Sequence, residues 1–151
     1  MRTGVIFVAV GIAVGFFASL GFSALGDDPE AQAVAELQIE PSAPGGPHGV
    51  GLLRHDNDRL TGWIVVWGLE PGSRHAVHFH GPDSSCGTKA DPVAVHPDLE
   101  ADAEGTAASR LDIDAPADLL GPGYYYNVHA EPSSVADNPE IACGDLGRPA
   151  P

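Results

Sequence analysis

The chain has 151 residues, with 21 Asp and Glu against 7 Lys and Arg, for a formal charge of −14. That length suits one compact domain with some residues left over for the ends. Such acidity excludes nucleic acid as a partner, because a phosphate backbone is bound by a basic surface; a solvated acidic exterior is the plainer reading of the charge.

The spare length lies at the N-terminus. "MRTGVIFVAVGIAVGFFASLGFSALG" has a basic Arg2, then an apolar run with no further charge until Asp27. Residues 1–26 thus read as a signal peptide or an N-terminal membrane anchor. Residues 4–25 are long enough to tether the chain, since roughly 20 apolar residues span a bilayer. In either case the remainder is exported, to the exterior, the periplasm or the cell envelope. Residues 27–33 form a spacer, and residues 34–151 form the folded domain.

Beyond the spacer, short apolar segments alternate with turn-forming clusters of Gly, Pro, Asn and Asp. In order they are "AVAELQI", "HGVGLLR", "RLTGWIVVWGL", "SRHAVHFHG", "GTAASRLDI" and "YYYNVHA". Segments of this length predict an all-β sandwich or barrel, and no stretch after residue 30 keeps a helical period over three turns. Two longer loops are expected, at residues 81–104 and 130–142. Trp63, Val65 and Trp67 share one strand face and are expected in the core. His48 and His55 flank turns and are expected at the surface. "DLEADAE" lacks the spacing and glycine of a calcium loop and reads as a solvated acidic turn.

Alternation of side chains along a strand divides the histidines. In residues 75–80 one face receives His75, Val77 and Phe79, and the other receives Ala76, His78 and His80. His75 therefore belongs with the core, where a histidine is held by hydrogen bonds. His78 and His80 can converge on one point above the strand. In "YYYNVHAE", Tyr124, Tyr126 and Val128 share a face, leaving Tyr125, Asn127 and His129 opposite. Two strands each present histidine on the less apolar side, and neutral imidazoles suit copper or zinc.

Cys86 and Cys143 are the two cysteines. An even count in an exported chain predicts one disulfide. A two-thiolate metal site is the weaker alternative, because neither cysteine belongs to a C-x-x-C pair.

From about Val34 to Gly147 the chain resembles the copper/zinc superoxide dismutase family. "SRHAVHFH" matches the family's G-x-H-G-F-H-x-H, "YNVH" its L-V-V-H, and "ACGDLG" its A-C-G-V-I-G. "PDLEADAEGTA" resembles the family's G-D-L-x-x-x-x-A-D-x-x-G-x-A. The resemblance implies a Greek-key β-sandwich or flattened barrel of about eight antiparallel strands with a Cys86–Cys143 disulfide. It implies one copper ion held by His78, His80 and His129, with His75 structural, and superoxide as substrate. The loop at residues 87–98 is too short to carry the family's zinc histidines. It offers only His96 and Asp98, as a candidate fourth copper ligand and a candidate zinc ligand, so the chain looks closer to short-loop, copper-only relatives of that family. The family's active-site arginine falls at Glu140. A carboxylate there repels the anion that an arginine would attract, and this keeps open a non-catalytic copper-binding or buffering role.

Overall fold

The computed structural model describes residues 33–115, 117–120 and 122–147. The expected signal or anchor, and the spacer up to residue 32, lie outside the described residues. Among the described residues no helix is long and apolar enough to cross a membrane. The helical element there is a short 3-10 turn, Ala117–Leu120.

The strands are β1 (Ala33–Pro41), β2 (His48–Asp56), β3 (Arg59–Trp67), β4 (Arg74–His75), β5 (Val77–His80), β6 (Pro92–Val95), β7 (Leu99–Glu100), β8 (Ala107–Asp114), β9 (Tyr125–His129) and β10 (Glu140–Asp145). Eight of them form one antiparallel sheet in the order β6-β5-β9-β10-β1-β2-β3-β8, and β4 pairs separately with β7. The chain runs up and down through β1, β2 and β3, then crosses to β5 and β6. It returns to place β8 beside β3 and crosses again to β9. This is the expected all-β, Greek-key, barrel-like architecture. β1 joins its two halves, pairing with β2 over Ala33–Ile39 and with β10 at Glu40 and Pro41.

The period-two pattern explains the closure. Leu37 and Ile39 of β1, Leu53 of β2, and Leu60, Ile64 and Val66 of β3 face inward from one half. Val77 and Phe79 of β5 and Tyr126 and Val128 of β9 meet them from the other. Burying two such faces against each other supplies the hydrophobic driving force of a sandwich.

β3 corrects the expectation for its tryptophans. Its two faces are both apolar, and the inward one carries Leu60, Gly62, Ile64 and Val66. Trp63 is half-buried on the outer face under the Arg110 guanidinium, 5.4 Å from the ring centroid. Trp67 is 37% exposed and lies against His48, with ring centroids 5.8 Å apart. Gly62 decides the matter: a Cβ on it would lie 2.5 Å from Tyr126 Oη, so the bulky set has to turn outward. His55 is likewise not at the surface. It is buried, with Nε2 2.7 Å from the Ala115 carbonyl oxygen. His48 is exposed as expected. The segment expected as one loop, residues 81–104, contains β6 and β7.

Cys86 and Cys143 are bonded, 57 residues apart in sequence. The bridge fits a non-reducing compartment. It fastens the loop after β5 to β10, and the Cys86 N–H adds a hydrogen bond to Asp145 Oδ1 at 2.8 Å. Closing a loop of that length stabilises the folded state by about 4 kcal/mol in the chain-entropy view. Urea unfolding with and without reductant is expected to differ by roughly that amount.

Candidate metal centre

The β5–β9 ladder builds the site. Val77 lies opposite Val128, His78 opposite Asn127, Phe79 opposite Tyr126 and His80 opposite Tyr125. Phe79, Tyr126 and Val128 close the core on one side of this ladder. On the other side His78, His80 and His129 come together, one ligand atom from each lying within 4.8 Å of the others. The ring of His78 sits 5.6 Å from that of His80 and 4.7 Å from that of His129. Metal–imidazole bonds of about 2.0–2.1 Å need nitrogens slightly closer than 4.8 Å, which small ring rotations supply.

Two of the rings are aimed by backbone carbonyls. His80 Nδ1 donates to the Ala90 carbonyl oxygen at 2.8 Å, and His129 Nδ1 donates to that of Asn138 at 2.8 Å. A carbonyl only accepts, so the proton of each neutral ring sits on Nδ1 and the lone pair on Nε2. Both Nε2 atoms are buried with no hydrogen-bond partner among the described residues. Buried polar atoms without partners are uncommon and costly; here a cation would satisfy both. This is the outer-sphere pattern by which metal-binding histidines are oriented.

Burial favours the neutral form of His78 and His80. Burial, then the neighbouring His129 and His80 charges, push His78 down to about 4, against a partial pull upward from Asp98. Burial also lowers His80, opposed in part by its hydrogen bond to Ala90 and by the nearby Glu140 carboxylate. At neutral pH these two rings therefore offer lone pairs rather than protons. The ring of Tyr125 stacks on that of His80 at 4.8 Å and 12°. Its hydroxyl donates to the Thr88 carbonyl at 2.8 Å, bracing the loop that supplies Ala90.

The remaining sequence candidates go elsewhere. His75 is buried apart from the three clustered histidines and supports one of them, its Nδ1 donating to the His129 carbonyl oxygen at 2.9 Å. Its Nε2 lies 2.6 Å from the Ser73 hydroxyl. His96 is corrected. It is 2% exposed, with Nε2 2.7 Å from the hydroxyl of Tyr126, on the core side of the sheet. An imidazole turned to that side cannot be the fourth ligand of a metal on the other, nor form a zinc pair with Asp98. Asp98 itself accepts hydrogen bonds from the backbone and hydroxyl of Ser133 and pairs with Arg74 at 3.4 Å. It latches the loop at residues 130–139 rather than standing free for zinc.

An open cavity of about 840 Å³ is lined in part by His80 and His129. Lys89 is the cation on its wall, against Asp91, Asp137 and Glu140. Glu140 is opposite His129 in the β9–β10 ladder and accepts a hydrogen bond from Ser42 at 3.0 Å. Asn127, buried, also lines this cavity. The roles of Ala90 and Asn138 had no signal in the sequence, because backbone carbonyls carry no motif; Tyr125 shares a strand face with His129. Asn127 did have a signal, through the same shared face. No protein-family model and no curated protein matches the chain.

Proposed function

We propose that the chain is an extracytoplasmic copper protein of the copper/zinc superoxide dismutase type, converting two superoxide anions and two protons to oxygen and hydrogen peroxide. The carrying observation is the convergence of His78, His80 and His129 with two buried Nε2 lone pairs left unpartnered. Three imidazoles tolerate both Cu(II) and Cu(I), so copper held there would supply a one-electron couple. The chain's own part is to fix the rings through Ala90, Asn138 and the His75 brace, and to keep one side of the site open to a small substrate. Copper-loaded protein should outperform free copper per ion in a superoxide assay; parity with free copper refutes the reading.

The walls of the cavity set the efficiency. Three carboxylates against Lys89 oppose an incoming anion, and two unit charges about 4 Å apart interact by about 4 kcal/mol at an effective dielectric near 20. Glu140→Arg is expected to raise kcat/KM for superoxide by about tenfold at low ionic strength, with the gain shrinking as salt rises. The same acidic wall supports a second reading, a copper-buffering module, since carboxylates that repel superoxide attract Cu²⁺. Tight one-to-one copper binding without turnover would favour that role.

A further inference from the structure

With His96 turned to the core, the three histidines still leave coordination positions open, and one more donor atom lies beside them. Asn127 is on β9, directly opposite His78 and two residues before His129 on the same face. Directly opposed residues of an antiparallel pair have Cβ atoms about 4.5–5.5 Å apart, so a short side chain at this position reaches the space above His78. Asn127 is 6% exposed and lines the cavity next to the histidines. Its Oδ1 is buried and has no hydrogen-bond partner among the described residues. Leaving an amide oxygen so costs about 1–3 kcal/mol, and the neighbouring Nε2 atoms of His80 and His129 are orphaned in the same way. Arg54 Nε and His96 Nδ1 are also without a partner among the described residues, but the three acceptors of β5 and β9 lie together around one cavity, where one cation would satisfy them all.

We propose that the Asn127 carboxamide oxygen is the fourth donor of this metal centre, completing a three-nitrogen, one-oxygen set; this rests on the metal reading of the three histidines. An amide oxygen is a hard, neutral donor. It bonds more strongly to Cu(II) than to Cu(I), for which three imidazoles suffice, and weak axial oxygen ligands of this kind tune copper potentials. The L-V-V-H pattern that "YNVH" resembles has valine at this position, so the oxygen is a departure of this chain. Its consequence is selective stabilisation of the oxidised ion.

The test is a Cu(II) titration of the full chain followed by frozen-solution EPR, with Cu(I) affinity measured by competition with a chromophoric chelator. Asn127→Val is expected to lose about tenfold in Cu(II) affinity, to keep its Cu(I) affinity and to change its g and copper hyperfine values. Tenfold in that ratio corresponds to a rise of about 59 mV in the one-electron potential. Asn127→Asp, which retains an oxygen, should keep the Cu(II) preference; if Asn127→Val does not fold, Asn127→Ala makes the same comparison. Unchanged spectra and an unchanged Cu(II)/Cu(I) affinity ratio in the oxygen-free variant overturn the assignment while leaving the three-histidine centre standing. A wild-type chain that binds no Cu(II) overturns both.

Discussion

Alanine in place of His129 is expected to abolish stoichiometric copper binding while leaving the metal-free fold nearly unchanged. The three imidazoles converge from β5 and β9, and loss of His129 removes the whole contribution of β9's histidine. Loss of an outer-sphere partner typically costs 10–100-fold in metal affinity, so loss of a ligand should cost at least roughly a hundredfold. The apo protein forfeits one hydrogen bond, from Nδ1 to the Asn138 carbonyl, worth about 1 kcal/mol. The support from His75 survives, because it reaches the backbone carbonyl of residue 129 rather than the ring. Thermal unfolding separates these effects. Copper at about a thousand times its Kd stabilises a binding-competent fold by about 4 kcal/mol, so wild type should shift strongly on adding copper and His129→Ala should not. An equal shift in both proteins would place the metal elsewhere.

The second large effect concerns His96 and acid. Burial pushes its pKa from 6.5 down to about 4, whereas the unfolded chain retains the ordinary value. Between these values the unfolded state binds the extra proton, so stability is intact above pH 6.5 and falls as pH drops toward 4. For one such group the loss between pH 7 and pH 4.5 is about 2 kcal/mol. His78 and His80, also lowered, add to the slope in the metal-free protein. His96→Gln isolates the contribution, since an amide can still bond to the Tyr126 hydroxyl but does not titrate. Urea unfolding of the apo proteins at the two pH values should show the Gln variant losing about 2 kcal/mol less than wild type. Identical losses would mean that His96 is protonated as readily in the fold as outside it.

The misplacements of the β3 tryptophans and of His96 share a cause that explains what a sequence can disclose. Period-two alternation separated His78 and His80 from Val77 and Phe79 correctly, because the two faces of β5 differ sharply in polarity. In β3 they do not: Thr61, Trp63, Val65 and Trp67 look as apolar as Leu60, Gly62, Ile64 and Val66. What decides between them is the crowding of Gly62 by Tyr126 and His96, residues more than thirty positions away that meet it only in the folded domain. His96 was misjudged for the same reason. Its neighbours "HPD" suggested a ligand loop, while its actual partner, the Tyr126 hydroxyl, lies 30 residues downstream. The strand-borne part of the centre was thus legible locally. The carbonyls that aim the rings, and the removal of a fourth histidine from the site, depend on long-range packing.

The strand order carries one further consequence. Among the described residues no ladder joins β6 to β8, so the sheet has two border strands, and border strands can invite other chains to add on. Both borders are unattractive templates. β6 has four residues and begins at Pro92, which lacks a donor, while β8 presents Arg110, Asp112 and Asp114 to solvent. An incoming strand would find a broken hydrogen-bonding row on one side and charges to desolvate on the other. Pro92→Val combined with Asp112→Val is expected to raise the tendency to aggregate, read by light scattering against wild type.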